Sequence, residues 1–241
     1  MLIGEVTMSE FERSLKKTRT LIIPFGTVEA HGSHLPLNTD TLIIREVVRK
    51  ASERVNAYMA PPIQYGVCTS TSLHPGTIGI TPETLRRLVT DIVSDAFKKG
   101  LRNFVLISGH GGSLHVSAMK EAAESLVGGN GLKGIKIAAL SIYEVLGKEA
   151  GEIAETKNDS HAGEMETSLV LHLAPRLVKG RAKEEYPRFP KPILVRDKLR
   201  YWKGAVWGDP GKASAEKGER LFNLMVKSVE DLVGRLEKIK I

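Results

Sequence analysis

Apolar and polar positions along the chain follow two alternating patterns. Short, nearly continuous apolar runs predict buried strands at 21–25, 103–108 and 135–143, with a shorter strand at 57–63. Between them, apolar residues recur at helical spacing and predict helices over 41–55, 82–99, 114–127, 162–173 and 213–238. Because strands alternate with helices, we predict an α/β fold with a mostly parallel sheet that carries helices on both faces.

Local signals mark the ends of some of these elements. Thr81 is a typical N-cap residue, Pro82 suits the first position of a helix, and Gly100 follows the end of the helix over 82–99. The stretch GGNG at 128–131 predicts a turn. These signals agree with the element boundaries that the apolar pattern predicts.

Chain length and composition indicate the class of protein. The 241 residues fit one α/β domain over 1–241 better than two small domains. No apolar run approaches the roughly 20 residues that span a bilayer, and the charged segment FERSLKK near Met1 predicts no signal peptide. Cys68 is the only cysteine, so no intramolecular disulfide can form. We therefore expect a cytoplasmic protein without a membrane partner.

Positive charge is concentrated in one region. The net charge is +7, and the stretch 176–203 holds ten Lys or Arg residues against three acidic ones. Three prolines interrupt this run, whereas nucleic-acid surfaces place basic residues along one helix or among stacking aromatics, so we expect no nucleic-acid partner. The run is either a solvated loop or subunit surface, or a patch that attracts an anionic substrate. The irregular stretch 176–212 predicts an active-site lid or an oligomer contact.

Two polar clusters directly follow predicted strands. GTVEAHG follows the strand at 21–25, and GHGGS follows the strand at 103–108. Because the carboxyl ends of parallel strands meet at one edge of the sheet, we expect Glu29, His31 and His110 to lie close together. Glu29 and His31 are two apart on an extended segment, so their side chains point to the same side.

Asp40 adds a second carboxylate near this edge. It stands at the start of the predicted helix over 41–55, where it either caps the helix or returns to the site. The resulting set of two carboxylates and two imidazoles suits Zn²⁺, Mn²⁺ or Fe²⁺; it comprises Glu29, His31, Asp40 and His110. Four ligands for two ions require a bridge, and Asp40 has two oxygens to provide it. Two ions about 3.5–4 Å apart can activate water at neutral pH.

A third polar cluster, SHAGEMETS, occupies 160–168. Ser160 resembles a helix N-cap, and the helix dipole alone favours carboxylates such as Glu164 and Glu166 in the first turns. It does not account for His161, which stands beside Ala-Gly before the helix.

Two further histidines have open roles. His34 is either a ligand or a residue that hydrogen-bonds a ligand from outside, and His115 lies one helical turn after GHGGS with a structural or a functional role.

The sequence resembles a known family. GTVEAHGSHLPLNTD, SGHGGS and HAGEMETS, in that order, are similar to the three signature segments of the creatininase (creatinine amidohydrolase) family. HPGTIGIT at 74–81 and WGDPGKASAEKG at 207–218 also resemble family motifs, and the resemblance covers about residues 20–220. It implies a three-layer αβα sandwich, usually hexameric, with a dinuclear metal-dependent amidohydrolase activity on C–N bonds other than peptide bonds.

The resemblance also implies roles for individual residues. Glu29, Asp40 and His110 match the first metal site of the family, and His31 with the bridging Asp40 matches the second. His161 matches a histidine placed for proton transfer. Glu166, the glutamate of the ETS motif, is carried as a ligand or a proton-transfer partner. We therefore expect two divalent metal ions per chain, as Zn²⁺, Mn²⁺ or Fe²⁺.

The chain departs from the creatinine-hydrolysing branch at two places. That branch has a glutamate two residues after the histidine of its second motif, and here the position is Gly112. The second site is therefore one carboxylate short, unless Glu166 or water fills the place. That branch also encloses creatinine with tryptophans before its third motif, whereas 141–160 contains only Tyr143 as an aromatic residue, which argues against creatinine as the substrate.

These observations predict hydrolysis of a small amide, cyclic amide or formamide. The GHGG form also resembles an archaeal deformylase that acts on a formylamino-ribosylaminopyrimidine phosphate in flavin and deazaflavin biosynthesis, and a peptidase-like member of peptide-cofactor maturation. A nucleotide-binding module is disfavoured because GHGGS lacks the spacing of either glycine-rich phosphate motif. A further alternative is an inactive metal-binding scaffold, and metal stoichiometry separates binding modules from the enzyme.

Overall fold

The structure, a computed structural model, describes residues 1–129 and 131–240. Asn130, in the predicted turn at 128–131, and Ile241 lie outside the described residues. The strands are β1 (Thr20–Phe25), β2 (Tyr58–Met59), β3 (Asn103–Ser108) and β4 (Lys136–Ser141). The helices are α1 (Met8–Ser14), α2 (Thr39–Arg54), α3 (Pro82–Lys98), α4 (Ser113–Val127), α5 (Glu149–Ile153), α6 (Glu164–Leu173) and α7 (Ala215–Lys238).

The four strands form one parallel sheet in the order β2-β1-β3-β4. Phe25 pairs with Ser108, and Ser108 pairs with Ser141, so β1, β3 and β4 end at the same level. The polar segments that follow β1 and β3 therefore leave the sheet side by side. This common edge is where the sequence predicted the site.

Strand side chains alternate between two hydrophobic cores. In β1, Ile22 packs with α2, α6 and α7 on one face of the sheet, and Leu21 and Ile23 pack with α3 and α4 on the other. In β3, Val105 lies on the first face and Phe104 on the second. Since successive strand residues point to opposite faces, apolar runs bury both faces of the sheet. The predicted α/β fold, a three-layer αβα sandwich with a parallel sheet, is confirmed.

Two strands are shorter than the apolar runs indicate. The run at 57–63 forms β2 and, after an interruption at Pro61 and Pro62, one isolated bridge between Ile63 and Phe25. The two prolines interrupt the ladder because they have no N–H to donate. The run at 135–143 gives β4, after which the chain turns into a 3₁₀ helix over Ile142–Val145.

The start of α6 differs from its prediction in a way that affects the site. The helix predicted over 162–173 begins at Glu164, and Ser160 is not its cap. Instead, the Asp159 carboxylate accepts hydrogen bonds from the backbone N–H groups of Glu164 and Met165 at 2.8 and 2.9 Å. The residues before Glu164 are therefore free to follow an irregular path along the edge of the sheet.

Within the described part of the chain, the only helix in the stretch after Leu177 and up to residue 212 is a single 3₁₀ turn at Pro210–Lys212. Two isolated β-bridges, Glu185 to Gly208 and Trp207 to His161, hold part of this stretch in place. It is anchored where the Lys198 ammonium donates to the Thr69 carbonyl oxygen at 2.7 Å. None of the helices in the described ranges is both long and apolar enough to cross a membrane.

Glu164 is a structural residue. Its side chain is fully buried and accepts hydrogen bonds from the backbone N–H groups of Glu155 and Thr156 at 3.1 and 2.6 Å. The Lys217 ammonium on α7 donates to the same carboxylate at 2.6 Å. Glu164 therefore joins α6 to α7 and to the preceding segment.

Replacing Glu164 with Gln should lower the free energy of unfolding by about 2 kcal/mol, because hydrogen bonds to a charged group each contribute roughly 1.5–3 kcal/mol. Urea denaturation measures the change. An unchanged unfolding midpoint would show that this carboxylate does not stabilise the junction of α6 and α7.

Candidate metal centre

Two histidines at the carboxyl edge of the sheet are held by main-chain carbonyl groups. His31 Nδ1 lies 2.9 Å from the Glu29 carbonyl oxygen, and His110 Nε2 lies 3.3 Å from the Val67 carbonyl oxygen. Because a carbonyl oxygen only accepts, each of these ring nitrogens carries a proton and donates it. The opposite nitrogens, His31 Nε2 and His110 Nδ1, are then the ones that can offer a lone pair.

Those opposite nitrogens face carboxylates. His31 Nε2 lies 3.2 Å from Asp40 Oδ1 and 3.6 Å from Glu166 Oε2. His110 Nδ1 lies 2.9 Å from Glu29 Oε2 and 3.2 Å from Asp40 Oδ2. A nitrogen lone pair and a carboxylate oxygen repel each other unless a proton or a cation stands between them. This arrangement of two imidazoles and three buried carboxylates therefore fits divalent cations.

Asp40 stands at the centre of the arrangement. Each of its oxygens faces a different histidine, and the Thr27 hydroxyl donates to Oδ2 at 2.5 Å. The residue lies in the first turn of α2, but the helix has Asn38 as its N-cap and no side-chain cap hydrogen bond. Of the two roles predicted for Asp40, capping is therefore excluded, and its side chain turns to the site.

The electrostatics of these groups favour positive charge. Burial would lower the pKa of His31, but the Asp40 carboxylate outweighs it and raises that pKa to about 10. Burial is outweighed in the same way at His110, where Glu29 and Asp40 hold the pKa well above its usual value. Conversely, although burial opposes it, His110 lowers the pKa of Glu29 to about 2. Each carboxylate is thus kept ionised by the positive charge that faces it.

Donor atoms within 4.8 Å of one another form groups that can hold a metal ion. One group comprises Glu29, Cys68 and His110, another comprises His31, Asp40 and Glu166, and a third comprises Glu29, His31 and His161. The first two groups meet at Asp40, which contacts a histidine of each. Cys68 belongs to the first group, although nothing in the sequence predicted a role for this cysteine at the site.

Gly112 stands where the creatinine-hydrolysing branch has a glutamate, and its surroundings leave no room for that side chain. A Cβ atom at Gly112 would collide with the His110 ring, so this backbone admits no side chain there. Glu166 reaches His31 from α6 instead. Its Oε2 accepts from the Ala162 N–H at 2.6 Å, and its Oε1 accepts from the Tyr143 hydroxyl at 3.0 Å. Of the two roles carried for Glu166, this geometry favours that of a ligand.

His161 lies at the mouth of the arrangement. Its Nε2 donates to the Ala30 carbonyl oxygen at 2.8 Å, and its ring lies 4.2 Å from the ring of His31 and 5.2 Å from that of Trp202. Burial, together with the positive charge of His31, lowers the pKa of His161. A neutral imidazole with one nitrogen bound to a carbonyl has the other nitrogen, Nδ1, available to accept a proton.

A cavity of about 610 Å³ opens above these residues. Its walls include Trp202 and Trp207 from the irregular stretch 176–212, with the Lys191 ammonium 5.9 Å from the Trp207 ring centre. The prediction from the sequence considered tryptophans only in 141–160 and did not include these two. The one signal was that Trp207 belongs to a segment that resembles a family motif.

His34 stays outside the metal-ligand groups. Its Nε2 lies within hydrogen-bond distance of the Thr167 hydroxyl, at 2.8 Å, and so links the segment after His31 to α6 beside Glu166. Of its two predicted roles, the outer one agrees with this position. The Thr71 hydroxyl, which the sequence did not single out, donates to Glu29 Oε1.

Comparison with known proteins relates this geometry to described relatives. The chain matches the family model for creatininase, described as creatinine amidohydrolase, over residues 4–233. A mycofactocin precursor peptide peptidase from Mycobacterium tuberculosis (strain ATCC 25618 / H37Rv) is 31% identical over 254 residues, covering 98% of this chain and 92% of that protein. A creatinine amidohydrolase from Pseudomonas putida is 28% identical over 250 residues, covering 97% of this chain and 96% of that protein.

Solved structures are similar over nearly the whole chain. A crystal structure of creatinine amidohydrolase (creatininase) has a TM-score of 0.86 at 28% identity and covers 99% of this chain and 98% of that one. A mutant creatininase described as Zn-Zn type and a structure described as creatininase Mn each have a TM-score of 0.85 at 27% identity, with 97% of both chains covered.

Proposed function

The chain belongs to the creatininase family of hydrolases, as its motifs predict. From this premise we propose that it uses two divalent metal ions to hydrolyse a C–N bond other than a peptide bond. The proposed substrate is a small amide, a cyclic amide or a formamide. One observation carries the proposal: the two oxygens of Asp40 face two different histidine nitrogens, each with a further carboxylate beside it. Such a divided donor set suits two ions that share one bridging carboxylate.

Each proposed ion has its own residues besides Asp40. Glu29 and His110 would hold the first ion, and His31 and Glu166 would hold the second. Bound divalent ions would polarise the substrate carbonyl and lower the pKa of water, so that hydroxide would be available as the nucleophile near neutral pH. The descriptions of two similar solved structures as Zn-Zn type and Mn forms of creatininase support divalent ions here.

His161 is proposed to move the proton. Its Nε2 is committed to the Ala30 carbonyl, so Nδ1 is the nitrogen that takes up a proton from the attacking water and returns it to the leaving nitrogen. The ring packs between His31 and Trp202, and this packing keeps the orientation of Nδ1 constant.

A second candidate is hydrolysis of a peptide bond. Relatives described as mycofactocin precursor peptide peptidase are 31% identical to this chain over nearly its whole length. The cavity of about 610 Å³ lies in the range that holds drug-sized ligands, so it has room for more than a small cyclic amide. Lys191 at its wall would suit an anionic substrate, such as a phosphorylated formamide or the carboxylate end of a peptide.

Metal analysis and a substrate screen test the proposal. Protein purified without chelators should contain two divalent ions per chain. It should release amine or formate from at least one of creatinine, lactams, simple formamides or a phosphorylated formamide, and not from short peptides. Release from peptides alone would establish the second candidate instead. Two ions without turnover of any substrate would indicate a metal-binding scaffold, and no ions would exclude the metal mechanism.

Replacing His161 with Asn should lower kcat by roughly 10²- to 10⁴-fold, because general acid–base catalysis contributes about that much. The metal content should stay at two ions, since His161 is not one of the proposed ligands. Steady-state kinetics on the substrate found in the screen measures the effect. His172→Asn is the matched control, because His172, on α6, packs against Phe222 of α7 and does not line the cavity. An unchanged kcat in His161→Asn would contradict the proposed role.

A further inference from the structure

His115 occupies a buried position beside the proposed first metal site. It is fully buried on α4 and its ring lies 5.2 Å from the ring of His110, edge to face. The backbone N–H of Val67 donates to His115 Nδ1 at 3.1 Å. Nδ1 accepts this bond, so it is unprotonated and the imidazole is neutral, with its proton on Nε2.

The same residue, Val67, also contacts His110. Its carbonyl oxygen accepts from His110 Nε2 at 3.3 Å, so Val67 receives one hydrogen bond and gives another. The N–H of Val67 is fixed by His115, and its C=O fixes which nitrogen of His110 carries the proton. Through the backbone of Val67, the side chain of His115 therefore influences the orientation of the His110 ring, whose Nδ1 faces Glu29 and Asp40.

Gly66 makes this contact possible. A Cβ atom at Gly66 would lie 2.8 Å from both Cε1 and Nδ1 of the His115 ring, closer than real Cβ contacts allow. The absence of a side chain thus lets the ring approach the backbone at the point where it accepts the Val67 N–H.

The other ring nitrogen of His115 argues against a purely packing role. His115 Nε2 is buried and has no hydrogen-bond partner among the described residues. A buried donor without a partner costs roughly 1–3 kcal/mol, so an apolar side chain would fill this place at lower cost. What the imidazole adds over an apolar side chain is the acceptor at Nδ1.

We infer that His115 is a positioning residue: by fixing the backbone N–H of Val67 it holds the Val67 main chain, whose carbonyl group keeps His110 in the tautomer and orientation that present Nδ1 to the first metal ion. The inference rests on the proposed two-metal site and deepens it. Residues that orient a metal-binding histidine from outside change metal affinity by about 10- to 100-fold when they are lost.

Variants at position 115 separate hydrogen bonding from packing. In His115→Asn, the side-chain oxygen can stand where Nδ1 stands and accept the Val67 N–H, whereas His115→Leu fills the core without an acceptor. We expect His115→Leu to weaken Co²⁺ and Zn²⁺ binding at the first site by about 10- to 100-fold. His115→Asn should stay within about threefold of the parent protein, because the acceptor is restored. Competition with a fluorescent chelator measures the affinities.

Two further measurements keep the inference testable. The visible absorption of Co²⁺-loaded protein reports the ligand field, which should change in His115→Leu and not in His115→Asn. If His115→Leu does not fold, by circular dichroism and thermal unfolding, Gly66→Ala takes its place, since the added Cβ would displace the ring while His115 is retained. Gly66→Ala should lower the metal affinity of the first site, as His115→Leu is expected to do.

The outcomes distinguish this inference from the proposed function. Equal metal affinity and equal Co²⁺ spectra in the parent and in His115→Leu, with only a lower unfolding temperature, would overturn the positioning role and leave the metal site intact. Loss of affinity in His115→Asn equal to that in His115→Leu would also overturn it. Failure of the parent protein to bind metal would overturn the proposed function together with this inference.

Discussion

Asp40→Ala is expected to remove both metal ions and to lower turnover by at least about 10³-fold. Among the residues that the structure describes, Asp40 is the one carboxylate within 4 Å of both histidines, so its loss leaves each group one ligand short and the bridge absent. Because each bound ion supplies several kcal/mol of transition-state stabilisation, losing them should cost three or more powers of ten in rate. Elemental analysis and steady-state kinetics measure the two effects separately.

Asp95→Ala is the matched control for this substitution. Asp95 is an exposed residue on α3, far in the fold from the carboxyl edge, and its replacement should change neither metal content nor rate. Full metal content and full rate in Asp40→Ala would make the bridging proposal wrong. Loss of only one ion would show that the two groups are independent and that Asp40 belongs to one of them.

Glu166→Gln is expected to remove the second ion and to leave the first. Glu166 Oε2 lies beside His31, and Glu166 is absent from the group of Glu29, Cys68 and His110. The metal content should therefore fall from two ions per chain towards one, and turnover should fall by at least about 10²-fold if the reaction needs both ions. Titration with Zn²⁺ measures both stoichiometry and affinity.

Glu164→Gln is the control for this loss. Glu164 is a buried glutamate two residues earlier on the same helix, but it bonds Lys217 and main-chain groups instead of the site. Its replacement should lower stability and keep two ions, whereas Glu166→Gln should lose an ion. If both variants lost metal equally, the effect would come from the start of α6 as a whole.

Adding a glutamate at position 112 should not restore the second ion in Glu166→Gln. A side chain at Gly112 meets the His110 ring, so Gly112→Glu would disturb the first site before it could serve the second. Recovery of two ions in the double variant would show that the two carboxylate positions are interchangeable in this backbone. The expected failure would mean that the second carboxylate comes from α6 in this chain and cannot simply be moved.

The enclosure of the cavity bears on substrate choice. The sequence lacks tryptophans before its third motif, yet Trp202 and Trp207 enter the cavity from the irregular stretch 176–212. Aromatic walls alone therefore do not argue against a small cyclic amide. The volume of about 610 Å³ and Lys191 at the wall also leave room for the larger or anionic substrate of the second candidate.

The main elements of the fold were predictable because their apolar residues repeat at a regular spacing over segments long enough to show the pattern. The helix over 82–99 carries its cap, its first-turn proline and its terminal glycine in the sequence, and α3 spans Pro82–Lys98 in the structure. By contrast, α5 has five residues, too few for a helical pattern to repeat. The length of β2 was overestimated because the apolar pattern continues through Pro61 and Pro62, where the hydrogen-bonded ladder is interrupted before the bridge at Ile63.

The sequence by itself determined which polar residues stand at the carboxyl edge. Glu29 and His110 each follow a buried strand within a few residues, and the carboxyl ends of parallel strands meet at one edge of the sheet. Spacing along the backbone is enough to place both side chains there. The same reasoning placed Asp40 near the edge, but left open whether it caps α2 or turns inward.

Only the tertiary structure decided which atoms face each other. Glu166 meets His31, and the backbone of Val67 contacts both His115 and His110, across separations in sequence that no periodic pattern records. Such pairs depend on how helices pack on the sheet and on which ring nitrogen a carbonyl holds. Packing energy is summed over the whole core, so these contacts follow from the complete fold and not from any one segment.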